Sequence, residues 1–381
     1  MKKVYWRPRQ VSRTVLVLIS LLSVAGLAAV EALPIKRQQG FYEEKMAAAQ
    51  LAREAMERIR EERLLRGWEI DRDADPAQSG LIGLLMSPVT SNTGVLAAKQ
   101  TTINPNFAAV LVDMLKSVRV ERGDIVAVGF SGSFPALNIC VGAAIRTLGL
   151  KPIIISSVSA SQWGANDPDF MWVDMERKLY EANLLPFRTT IASIGGIEDR
   201  GLGMSEEGRQ LVIRAIERNG LPMIQSKDFK ESIDQHMKAY LDGARGKPIK
   251  AYINVGGGAT SVGTRIGKRL FEPGVNRSAP PGSAGVDSVM TRFISRGVPV
   301  IHLVEVNELA RRYGLPLQPT QMPSVGEGSI FARAEYNRWL AGGVLAAILI
   351  SLYAFIRSEW GIRIFRTSGR RKEGDYLEPM I

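Results

Sequence analysis

Two uncharged apolar runs, residues 14–30 and 340–356, bracket the rest of this 381-residue chain and limit what it can become. Each has 17 residues, close to the shortest helix that crosses a hydrocarbon core at a rise of roughly 1.5 Å per residue. Lys2, Lys3, Arg7, Arg9 and Arg13 precede the first run; Arg357, Arg363, Arg366, Arg370, Arg371 and Lys372 follow the second. A cationic excess outside both runs predicts two transmembrane helices with cytoplasmic tails at 1–13 and 357–381. Residues 31–338 then form one extracytoplasmic part. The small residues Ala25, Ala28, Ala29 and Ala32 also suit a cleavable signal peptide, but the length of the run and the Pro34, Lys36 and Arg37 that follow it favour a retained anchor.

Charge follows the same division. Of the formal +11, the tails hold +7 and the large middle part only +4, so the basic balance points to anionic lipids at the cytoplasmic face. It gives no ground for a nucleic-acid partner. The single cysteine, Cys140, excludes an intramolecular disulfide, and no Cys or His cluster has metal-ligand spacing. His236 and His302 are the two histidines, and His236, in a polar helical stretch, reads as solvent-facing.

Residues 41–67 carry apolar side chains at Ala48, Leu51, Ala55 and Ile59, an amphipathic helix ended by Gly67 and read as a stalk or packing helix, with pairing to a partner helix as the alternative. From 68 to 330, strand-like runs at 81–86, 125–129, 152–156, 189–194, 249–255 and 299–304 alternate with helical patterns at 106–120, 135–148, 170–183, 206–219, 229–241, 260–270 and 286–296. That order predicts a doubly wound, mostly parallel α/β sheet. Residues 272–285, rich in Pro and Gly, read as an excursion loop.

In such a sheet ligands collect beyond the carboxyl ends of the strands, so the residues after each strand are the candidate site. Gly129, Ser131, Gly132 and Ser133 follow one strand, with Pro135 placed to begin a helix. Asn254, Gly256, Gly257, Gly258 and Thr260 follow another, and Ser157 and Ser159 a third. Backbone N–H groups and hydroxyls converging there would bind an anion. Neither glycine-rich turn is a Walker loop, because Gly263 is followed by Thr264 where a phosphate-binding lysine would stand, and neither is GxGxxG; no nucleotide cofactor is expected. The enzymatic alternative is a serine nucleophile, Ser131, in a strand-to-helix elbow whose last glycine is replaced by Ser133, with His302 as base and Asp199 or Asp287 as acid; the favoured reading of His302 is a buried, hydrogen-bonded residue of the apolar run 299–304.

The run 129–166 (GFSGSFPALNICVGAAIRTLGLKPIIISSVSASQWGAN), the aromatic and acidic 167–174, the stretch 193–208 (SIGGIEDRGLGMSEEG) and NVGGG at 254–258 resemble the bacterial poly-gamma-glutamate system protein family. The resemblance spans most of the middle part and implies a membrane protein working beside the synthase membrane subunits that make and export poly-γ-glutamate; it brings no assigned catalytic residue. That polymer bears one free carboxylate per residue. Arg188, Arg200, Arg209, Arg214 and Lys227 are candidate cations for it. The expected function is accessory, binding nascent polymer or synthase outside the membrane, with a γ-glutamyl amide hydrolase or transferase and a purely structural assembly factor as the alternatives.

Overall fold

The computed structural model describes residues 13–263 and 267–357, which fall into two compact units: Met1–Arg37 with Arg333–Ile381, and Gln38–Ala332. Residues 1–12 and 358–381, most of both basic tails, lie outside the described residues, as does Thr264.

The first unit contains helices α1 (Arg13–Ala32) and α12 (Arg338–Arg357), which pack on each other with Gly26 against Val344. A side chain at Gly26 would collide there, and small residues at a crossing are what let apolar helices approach closely. Leu16, Val17, Leu21, Leu345 and Ile350 point outward. Among the described residues, Thr14–Ala32 is the one helix long and apolar enough to cross a membrane; the described apolar part of the other, Arg338–Ala354, is shorter.

The second unit is α/β. Strand β2 (Thr90–Asn92) pairs in parallel with β5 (Ala160–Ser161), and β1 (Ile35–Gln38), most of which belongs to the first unit, pairs with β10 (Ala332–Glu335). The central sheet holds β3 (Ile125–Ser131), β4 (Lys151–Ser157), β6 (Ile191–Ser193), β7 (Ile249–Val255), β8 (Gly274–Asn276) and β9 (Val300–Leu303), in the spatial order β6-β4-β3-β7-β9-β8. All pairings are parallel except β8 on β9. The chain steps outward from β3 through β4 to β6, then returns to lay β7 on the opposite flank of β3, so the strand order reverses between β3 and β7.

Side chains alternate across the sheet with period two. Val126, Val128, Phe130, Ile154, Ile253 and Ile301 join the apolar cluster of α2 (Tyr42–Leu65), α4 (Phe107–Ser117) and α5 (Pro135–Leu148). Ala127, Ile153, Ile155, Tyr252 and Val300 join that of α8 (Phe229–Ala244) and α10 (Val289–Ile294). Both faces are covered, which is why β3, β4 and β7 are near-continuous apolar runs. Cys140, on α5, is fully buried.

Residues 41–67 hold the amphipathic helix expected there, and of the two readings, stalk or packing helix, it is the packing helix. Ala48, Ala49, Ala52, Ala55 and Ile59 of α2 are all 0% exposed, and the buried Lys45 ammonium donates to Asp113 Oδ1 (2.8 Å) and to the Ile330 carbonyl (3.2 Å). An alanine-rich face lets α2 lie close against α4 and α5. The run 81–86 is not a strand: Leu84 exchanges hydrogen bonds with the Asn166 side chain (2.8 and 2.7 Å), and Leu85 and Met86 are exposed. The loop 272–285 contains the edge strand β8, a position where Pro273 and Gly274 are tolerated. Of the helix expected at 260–270, α9 (Ala259–Val262) and a single turn at Gly267–Arg269 are present. Two helices not expected, α3 (Leu96–Thr102) and α11 (Val306–Arg312), complete the site region and the edge by β9.

Candidate functional site

Ser131, Ser157 and Ser193 stand in register at the carboxyl ends of β3, β4 and β6. Beyond Ser131 the chain turns sharply: the Gly132 N–H donates to the Ser157 carbonyl (2.8 Å), and a side chain at Gly132 would lie 2.6 Å from the Val158 carbonyl. Only glycine allows this approach of two strand ends. Pro135 then begins α5, and the Asn138 amide donates back to the Ser131 carbonyl (2.9 Å). On the neighbouring strand Gly256 adopts φ 78°, with Phe134 about 3.1 Å from where its Cβ would sit. The two glycine-serine turns, 129–133 and 254–261, therefore lie side by side at the reversal of strand order.

They border a cleft of about 750 Å³. Ser131, Ser133, Ser157, Gly257 and Gly258 line it, together with Lys99, Phe134, Ser161 and Lys268. Sharing Ser131, Ser157 and Gly258 with it, a cavity of about 20 Å³, one water in size, is also lined by Gly129, Asn254 and Thr260 with His236, Tyr240 and Ser261. Gly132, Ser159 and Gly256 line neither space; their part is to let the turns pack, and the buried Ser159 hydroxyl has no partner among the described residues.

Lys99 is the cation of this cleft. It projects from α3, is 2% exposed, and its Nζ donates to the Ser133 carbonyl and to Ser161 Oγ (2.9 Å) while lying 3.8 Å from the centre of the Phe134 ring. Burial pushes its pKa down to about 7. Sequence reasoning passed over it, since LAAKQTT is too short for a clear helical period; the signal was a lone lysine in a small, apolar stretch. The arginines expected to meet an anion are engaged elsewhere: Arg188 with Asn219, Arg200 with Glu198, and Arg209 with Glu206 and the Met204 carbonyl. Neither they nor Arg214 and Lys227 line the cleft.

The expected pair of Ser131 and His302 is not assembled. His302 pairs across β7 with Asn254, whose own cross-strand partner is Gly129, so two strand spacings of roughly 4.8 Å separate it laterally from β3. Its Nδ1 accepts from Asn254 Nδ2 (2.9 Å), its Nε2 is buried without a partner among the described residues, and burial lowers its pKa to about 4. It is a neutral core histidine. His236 is not solvent-facing but 5% exposed, because it shares the inward face of α8 with Ile233, Met237 and Tyr240. Its Nδ1 meets the Ser232 carbonyl (2.8 Å) and its Nε2 lies 3.8 Å from Asp199, and among the described residues no hydrogen bond joins it to Ser131. Asp199 also accepts from Ser193 (2.6 Å) and Ser232 (2.8 Å), and Asp287 is bound to Arg292 at the surface (2.6 Å). Among the described residues no group of His, Cys, Asp and Glu is arranged to hold a metal.

No protein-family model and no curated protein matches the chain. Among solved structures, an archaeal alanine:glyoxylate aminotransferase aligns at 13% identity over 92% of this chain and 70% of that one, with a TM-score of 0.16, too low to bear on fold or activity.

Proposed function

We propose that this protein is a membrane-anchored accessory of poly-γ-glutamate synthesis or export. Both terminal helices lie in the bilayer with their basic tails in the cytoplasm, and the α/β unit stands outside, where its cleft holds a carboxylate-bearing stretch of nascent polymer. The mutual packing of α1 and α12 and their outward apolar side chains support the two-pass arrangement. The observation that carries the binding role is the cleft at the β3/β7 reversal, which combines serine hydroxyls, glycine backbone, the Lys99 amine and the Lys268 ammonium. A chain with one carboxylate per residue matches that lining, with Lys268 meeting its charge.

The test is binding of a fluorescent γ-glutamate oligomer to the purified full chain in detergent. Lys268→Glu should weaken it at least about tenfold, or about 1.4 kcal/mol, and a γ-glutamyl oligomer with esterified carboxylates should not bind. Equal affinity of the variant and the parent, or no binding to either, would favour the assembly-factor reading, in which the helices hold the synthase membrane subunits and the cleft never meets polymer.

A further inference from the structure

We infer that Ser161 and Lys99 form a serine–lysine nucleophile pair in the cleft, cleaving or transferring an amide or ester of an anionic acyl chain. The inference shares the cleft with the binding proposal but does not depend on the polymer's identity. Ser161 Oγ lies 2.9 Å from Lys99 Nζ, and both residues open on the same cleft. Ser161 is fixed from two sides: its N–H donates to Ser133 Oγ (2.9 Å), and β5 is paired with β2 in the register Asn92↔Ser161. The lysine is held between the Ser133 carbonyl, the Phe134 ring and Ser161, an environment that gives its proton no carboxylate to stay for. A neutral amine so placed donates to the Ser133 carbonyl and accepts from the Ser161 hydroxyl, the arrangement of a general base with its nucleophile. The pKa near 7 agrees, because it leaves much of the amine unprotonated at neutral pH. Ser131, in contrast, is served by neither histidine.

In the reaction, Ser161 Oγ bonds to the acyl carbon as its proton passes to Lys99 Nζ. The C–N (or C–O) bond then breaks and Lys99 returns that proton to the departing amine or alcohol, leaving an acyl ester on Ser161. Water, or an incoming amine in a transfer, attacks the ester with its proton taken by Lys99; the Ser161–acyl bond breaks and the proton restores the hydroxyl. Lys268, on the same cleft, suits an acyl chain bearing carboxylate.

The probe is an alkyl fluorophosphonate, which forms a serine–phosphorus bond with loss of fluoride and contains no γ-glutamyl group, so its result is independent of polymer binding. On the full chain in detergent, peptide mass analysis should place the adduct on Ser161, with a rate rising about tenfold from pH 6 to 8 and levelling above it. Ser161→Ala should abolish the adduct, and Lys99→Arg, which keeps the charge but not the base, should slow it at least about 100-fold. Thermal unfolding checks that each variant is folded; if Lys99→Arg is not, the pH profile of the parent decides. No adduct at pH 8, an adduct on another serine, or a rate flat from pH 5 to 9 would overturn the inference.

Discussion

Replacing Lys99 by methionine should remove a pH dependence from the stability of the protein. Burial lowers this amine from 10.5 to about 7. At about 1.4 kcal/mol per pH unit of displacement, the ammonium costs the fold about 5 kcal/mol relative to the unfolded chain. The folded value lies below the unfolded one, so that cost is felt in full below about pH 7 and fades as pH rises towards 10.5, where both states hold the neutral amine. The parent should therefore gain up to about 1.4 kcal/mol of stability per pH unit between these limits. Methionine keeps the unbranched stem and the packing while discarding the charge, and the acceptors it orphans, the Ser133 carbonyl and Ser161 Oγ, add a cost that does not change with pH. Denaturant unfolding of the full chain in detergent, followed through the buried Trp172, gives the two curves at pH 7, 8, 9 and 10. The parent should rise relative to the methionine variant at each step, by up to about 1.4 kcal/mol per pH unit. Parallel curves across that range would refute the reasoning, whatever the sign of the offset.

Glu176, buried where it accepts from the Thr189 N–H and hydroxyl, has the opposite sign: burial raises it to about 7, so the parent should lose stability as pH climbs from 4.5 to that value. Glu176→Gln should be closest to the parent near pH 5 and more stable than it by about 3 kcal/mol at pH 8 in the same unfolding assay. Gly132→Ala, which sets a methyl 2.6 Å from the Val158 carbonyl, should lower the melting temperature sharply, whereas Gly257→Ala, whose nearest neighbour is the flexible Lys268 stem at 3.5 Å, should leave it unchanged; equal melting temperatures would deny the crowding at the β3 turn. Cysteine at Lys238, whose side chain is 78% exposed, should react with an impermeant maleimide in intact spheroplasts while the buried Cys140 stays silent; protection of Lys238→Cys until lysis would invert the membrane orientation.

Much of the sheet was legible because β3, β4 and β7 are buried on both faces and so appear as unbroken apolar runs, while Pro135 and the capping Ser205 and Asp228 mark where helices begin. The same logic misled at 81–86, since an apolar run does not reveal whether its backbone bonds to a strand or to an asparagine such as Asn166. The turns 129–133 and 254–261 were legible as a site because glycine is required where strand ends crowd together. Lys99 was not, because its depressed pKa comes from helices and loops distant in sequence that close over it. His302 is the buried, hydrogen-bonded histidine that its apolar run suggests; the catalytic alternative rested on order along the chain after Ser131 and Asp199, and strand order puts β7 between them.

That intervening strand also sets how the molecule must come together. Gly129 faces Asn254 across the β3/β7 pairing, 125 residues away, whereas β4 follows β3 through a single helix. Closing so long a segment carries an entropic penalty that local pairing avoids, and topologies rich in such contacts fold slowly. Until β7 arrives, one flank of β3 presents an open row of apolar β-strand hydrogen-bonding groups, a template for pairing with another chain. The junction that forms the cleft is thus also a late, long-range seam of the central sheet, and lesions that weaken it, at Gly129, Tyr252 or Asn254, should show themselves first as aggregation during synthesis and only second as loss of binding.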